Sequence, residues 1–216
     1  FQPEVVLEAA YRILKKGEDI RIQWRKAEEP REITAPYVEQ SLSVSTPLFQ
    51  LGFKGEAGDS LTNLRRQVAD EILLEILCGE SSPLYRRLYD SGLINGTFEY
   101  EVLAGRDYLC CMYGGESREP KKVREAICQE AQRMAAEGID PDAFRRCKKA
   151  TYGRYIGMFS RVESVASLMM GSYFAGLENM YELLDWVRNL TLPELEQRLR
   201  EDLDPRYSAL SVVNPA

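Results

Sequence analysis

Apolar residues recur along this chain mostly at helical spacing and alternate with polar ones in a few short stretches. Gln2-Pro3-Glu4 opens a helix with the apolar pairs Val5-Val6, Ala9-Ala10 and Ile13-Leu14, and Gly17 is placed to end it. A short extended piece from Ile20 to Trp24 leads into Lys26 to Pro36, which is charged, holds two prolines and reads as a linker. Val38, Gln40, Leu42 and Val44 then alternate with Glu39, Ser41 and Ser43, predicting a half-buried strand. Pro47 interrupts it, and "LFQLGFKG" is its expected extended or bulged continuation. Asp59 or Ser60 caps a long helix. Its stripe is Leu61, Leu64, Val68, Ile72 and Ile76, widened by Ala69, Leu73 and Leu77, so it should be covered over most of its circumference.

The stretch "SSPLYRRLYDSGLINGTFEYEV", Ser81 to Val102, runs from a capped helix start through Gly92 into a strand. Strands are predicted at 94–103 and 108–113, joined by "AGRD" as a hairpin. Pro120 starts a helix with Val123, Ile127, Ala131 and Met134 inward and Gly138 at its end. Asp140-Pro141 starts another, with Phe144, Cys147, Thr151, Tyr155 and Met158 on one side. Helical stretches at 162–175 and 181–189 follow. A last helix begins with a Thr191/Glu194 capping box and a Leu190/Leu195 staple, and "YSALSVV" closes the chain as a strand. Strands adjacent in sequence and helices gathered in blocks predict an α+β fold, a mostly antiparallel sheet packed against a block of helices.

Composition narrows the chemistry. The 216 residues are 44% hydrophobic and carry a net charge of -6, enough for a proper core and too acidic for nonspecific nucleic-acid binding. Basic clusters at Arg86-Arg87, Lys121-Lys122-Arg124 and Arg145-Arg146 lie opposite apolar positions and read as solvated helix faces. No apolar run is long enough to span a membrane. Five cysteines without CxxC spacing read as free thiols, which points to a reducing cytoplasm. The start at Phe1 without Met leads to the expectation of a fragment. The chain contains no histidine, and this weighs most. Ser-His and Cys-His nucleophile systems are excluded, and a catalytic zinc site almost always includes histidine. GxxxxGK[ST] and GxGxxG are missing as well, so the chain by itself reads as non-catalytic.

The ordered set of "VSTPLFQLGFKG", the helix from Ser60, "GESSPLYRRLYDSGLINGTFEYEV", the "REPKKVREAICQEAQRMAAEGIDPDAFRRCKKATYGRY" helix pair and "LTLPELEQRLREDLDPRYSALSVVNP" resembles the C-terminal inactive domain of the M16 peptidases, the insulinase, pitrilysin and mitochondrial-processing-peptidase family. The resemblance spans roughly 38 to 214. It implies tandem repeats, with 1–25 the tail of a preceding repeat, 26–36 an interdomain linker and 37–216 the inactive domain. An active repeat carries His-x-x-Glu-His, which this chain lacks. Zinc is therefore expected in a complementary catalytic M16 domain, on the same chain or a separate subunit, and none in this chain. The two halves would enclose a peptide and bind it in extended form to a sheet edge.

The resemblance also implies a substrate-contacting Arg and Tyr in text like "L-R-x-x-x-G-L-x-Y". Aligned on Gly92-Leu93, Tyr89 falls at or near the Arg position and Asn95 at or near the Tyr position, so the pair is not retained. Arg86 or Arg87 could supply the cation from one turn earlier, making Arg86, Arg87 and Tyr89 the candidate substrate contacts. The plainer reading keeps Leu84, Leu88 and Leu93 in the core, Tyr85 and Tyr89 at its edge and the arginines in water. Glu71 and Glu75, one turn apart, read first as a solvated helix flank and second as a carboxylate pair. Of Cys110 and Cys111 only one can face the core, leaving the other as a candidate reactive thiol. A scaffold of the same fold without proteolysis is the alternative function, and an unrelated α+β interaction domain a third.

Overall fold

A computed structural model of the chain describes residues 2–14, 17, 23 and 30–216. Gln23 apart, the extended piece expected at 20–24 lies outside the described residues, as does the first part of the linker at 26–29. Helix α1 (Pro3–Ile13) has its proline in the first turn and Leu14 as C-cap, three residues short of the expected stop at Gly17. None of its residues is buried, so its apolar stripe stays open.

Strands β1 (Tyr37–Leu42), β2 (Leu48–Lys54), β3 (Glu99–Ala104), β4 (Leu109–Glu116) and β5 (Ser208–Pro215) form one sheet in the order β1-β5-β2-β4-β3. The pairs β2–β4, β2–β5 and β3–β4 are antiparallel and β1–β5 is parallel, so the sheet is mostly antiparallel as predicted. Two strand expectations are corrected. The segment after Pro47 does not continue β1, because β5 is inserted between β1 and β2. Nor is β1 half-buried: apart from Tyr37 it is exposed on both faces, since it forms the sheet's outer strand and no described element covers it.

Helix α2 (Ser60–Cys78) is the centre of the helical layer, with Asp59 as its N-cap accepting from the Thr62 amide at 2.8 Å. Its buried residues meet Phe49, Leu51 and Phe53 of β2, Leu109, Cys111 and Tyr113 of β4, and Leu210 and Val212 of β5 in one core. Leu61, expected in the stripe, is exposed, while Asn63 in the same turn is buried and donates to the Gly105 carbonyl at 2.8 Å. The other helices surround α2: α3 (Pro83–Asp90), α4 (Pro120–Glu137), α5 (Pro141–Met158), α6 (Val162–Ala175), α7 (Glu182–Asn189) and α8 (Leu192–Asp202). The inward faces of α4 and α5 are those their periodicity predicts, and α8 starts with both hydrogen bonds of the Thr191/Glu194 capping box.

Candidate functional site

The Ser81–Val102 segment is built by local rules. Ser82 caps α3 by accepting from the Tyr85 amide at 3.1 Å, and Pro83 fills the first helical position. Leu84 and Leu88 are buried. The helix ends in a Schellman motif: the Leu93 amide donates to the Leu88 carbonyl at 2.9 Å and the Gly92 amide to the Tyr89 carbonyl at 3.0 Å. That motif needs a left-handed residue, and Gly92 supplies φ +72°.

The strand expected from Ile94 begins only at Glu99, because 95–98 form a turn in which the Phe98 amide donates to the Asn95 carbonyl at 3.1 Å. The Asn95 side chain is fully committed to it. Its oxygen accepts from the Thr97 amide at 2.9 Å and hydroxyl at 2.6 Å, and its Nδ2 donates to Glu116 at 2.8 Å. Gly115 passes so close beneath that a Cβ would lie 2.9 Å from the Phe98 Cα.

The three candidate contacts from the sequence do not converge. Arg87 turns to α4 and meets Glu130 at 3.5 Å, where Arg133 already holds Glu130 at 2.7 Å and draws its carboxyl below the usual range. Tyr89 turns the other way and stacks on Tyr85 with centroids 5.9 Å apart. Tyr85 in turn meets the edge of Phe98, and Phe98 stacks on the buried Tyr113, so an aromatic row runs from the surface into the core. Arg86 is exposed and makes no hydrogen bond or ion pair with the described residues. It is the one of the three whose charge is uncommitted.

A groove of about 660 Å³ opens farther along, between β3, α2, α5 and α6. Glu71 lines it from α2, and Glu75, one turn on, turns to different partners. Glu71 accepts from Arg154 at 3.2 Å and Gln67 at 3.4 Å, and burial pushes its carboxyl up against the pull of Arg154. Glu75 accepts from the Tyr100 hydroxyl at 2.6 Å and from Ser81 at 3.2 Å, tying α2 to β3 and to the start of α3. Among the described residues no three His, Cys, Asp or Glu side chains stand close enough to hold a metal ion, so this pair does not fit one. Cys111 faces the core and Cys110 the other side, as alternation requires. Burial raises both thiols, so Cys110 is not poised as a thiolate.

Sequence reading missed one polar cluster altogether. Arg198 of α8 is buried between Asp70 of α2, at 3.5 Å, and Asp202, and it also holds Glu201 at 2.7 Å. The signal was there: Asp70 interrupts a face that continues with Leu73, Leu74 and Leu77.

Helix α6 presents its apolar side to solvent. Only Ser172 is buried, while Val162, Tyr173 and Phe174 are 83%, 78% and 79% exposed.

Residues 1–151 match the family described as the peptidase M16 inactive domain. The Bacillus subtilis protein YmfH, described as an uncharacterized zinc protease, is 24% identical over 183 residues, which is 82% of this chain and 42% of YmfH. A crystal structure described as an M16-like peptidase from Alicyclobacillus acidocaldarius superposes with a TM-score of 0.87 at 23% identity, covering 99% of this chain and 51% of that one. A protease from Helicobacter pylori gives 0.80 at 18% identity, covering 100% of this chain and 53% of its own. The chain therefore spans about half the length of these relatives.

Proposed function

The chain belongs to the peptidase M16 inactive-domain family, and from that membership we propose that it is the non-catalytic wall of a peptide chamber in a zinc endopeptidase. A separate half, on the same chain or another, supplies His-x-x-Glu-His, the zinc and the activated water. The observation that carries this reading is the match to an inactive-domain family in a chain with no histidine. The two halves close around a peptide, and domain closure controls access, with residues 26–36 as one hinge between a preceding repeat ending near 25 and the domain from 37. Arg86 is the substrate contact favoured among Arg86, Arg87 and Tyr89, because its charge is uncommitted while the other two are held by Glu130 and Tyr85. Five free thiols fit a reducing compartment, the cytoplasm. No nucleic-acid or membrane partner enters this reading.

A second reading, a scaffold without proteolysis, is favoured by Asn95. The residue aligned with the substrate-contacting Tyr is bound into a turn and held by Glu116. The full-length parent separates the two readings. Zinc bound in the other half, with cleavage of a mixed peptide pool that needs both halves, is the expected result. A folded assembly without zinc and without cleavage would establish the scaffold instead.

A further inference from the structure

We propose that the groove between β3, α2, α5 and α6 binds a free apolar α-amino acid, with Arg154 holding its carboxylate, Glu71 its ammonium group and the leucines of the groove its side chain. This goes beyond the chamber reading and does not depend on it, because the ligand is a small molecule and no cleavage is involved.

The groove has the make-up of a small-molecule site. Its volume of about 660 Å³ falls within the ordinary range of such pockets, about 300–1,000 Å³. Leu64 of α2, Leu168 of α6 and Leu183 of α7 make its wall apolar, and a few polar groups converge on it. Arg154 donates to Glu71 at 3.2 Å, yet its side chain is half exposed, so further guanidinium donors stay open at the rim. Glu71 accepts from Arg154 and Gln67, which leaves lone pairs for another donor. Burial raises the Glu71 carboxyl against the pull of Arg154, so a second cation beside it is favourable. Ser172, only 4% exposed, lines the groove as well, and its hydroxyl has no hydrogen-bond partner among the described residues. Next to it Gly171 borders open space: a Cβ there would meet nothing within 4 Å.

Charge balance selects the ligand. Arg154 and Glu71 stand as a neutral pair, and Glu101 lines the same groove. A lone carboxylate would add a third anion to a groove that already holds two. A lone amine would compete with Arg154 for Glu71. An α-amino acid offers one opposite charge to each member of the pair and adds no net charge. Its side chain decides the rest, because only an apolar one gains by leaving water for the leucine wall.

Isothermal titration calorimetry of the whole chain with L-leucine tests this. Leucine should bind. N-acetyl-leucine, leucinamide and glycine should each bind at least about tenfold more weakly, since each lacks one of the three matched groups. Arg154→Ala should abolish leucine binding, but it also leaves Glu71 without its cation and so perturbs the fold locally. Gly171→Leu avoids that difficulty. It puts a strong helix former in place of a glycine within α6, so circular dichroism should match the parent, and its side chain should fill the groove and abolish binding. No heat of binding from leucine at millimolar concentration would overturn the proposal. So would equal affinity for any of the three analogues, or unchanged leucine binding in Gly171→Leu.

Discussion

Replacing Asp70 by Asn should flatten the pH dependence of this protein's stability. Asp70 is completely buried, and two buried carboxylates, Asp70 and Asp202, share the one guanidinium of Arg198. Arg198 leans on Asp202, whose other oxygen accepts from the Glu56 amide at 3.3 Å, while neither oxygen of Asp70 accepts a well-formed hydrogen bond. The remaining neighbours offer little relief: Glu201 and Cys111 add negative or thiol character, and Arg66 adds a further cation that pulls it down less than Arg198 does. Burial therefore outweighs Arg198 and raises the Asp70 carboxyl from 3.8 to about 7.

In the unfolded chain the carboxyl has lost its proton by pH 5, whereas in the folded chain it keeps it. Unfolding therefore releases a proton, and stability falls as pH rises from 3.8 towards 7 and levels off above. Integrated between pH 5 and 8, the loss is about 2.5 kcal/mol. At roughly 2–3 kcal/mol per molar urea this moves the unfolding midpoint down by about 1 M. No histidine titrates in this window to mask the effect. Urea titrations at pH 5 and pH 8 should show the shift in the parent and lose most of it in Asp70→Asn. A parent midpoint that does not fall over this range, or a variant that keeps the full slope, would refute the assignment of the buried proton to Asp70.

Three further outcomes follow from named contacts. Gly92→Ala places a Cβ at φ +72° in the Schellman motif and should cost about 1–2 kcal/mol in urea unfolding without changing the circular dichroism spectrum. Tyr113→Phe leaves the ring in the core but removes its 3.0 Å hydrogen bond to the Leu74 carbonyl, costing about 1–2 kcal/mol by the same assay. In the full-length parent, Arg86→Ala should raise KM about fivefold with kcat unchanged, the mark of a lost ground-state contact, while Arg87→Ala should leave both parameters alone because its charge is spent on Glu130.

The elements of this protein were legible where their causes are local. The inward faces of α4 and α5, the Asp59 cap and the Thr191/Glu194 box depend on residues within a turn or two of one another, and all appear where periodicity and capping put them. The absence of histidine is likewise a property of composition, and no folding can change it. What only the tertiary structure decided involves partners far apart in the chain. The insertion of β5 between β1 and β2 joins residues some 170 positions apart, and it turned an expected continuation into a separate strand. Asn95 stood at or near the family's substrate-contacting Tyr position until Glu116 and Thr97 claimed its side chain, and Arg87 looked like a solvated cation until α4 brought up Glu130. The burial of Asp70 against Arg198 needed α8 to pack on α2. Spacing can place a charge on a helix face, but only the packing of a distant element decides whether that face meets water or another charge.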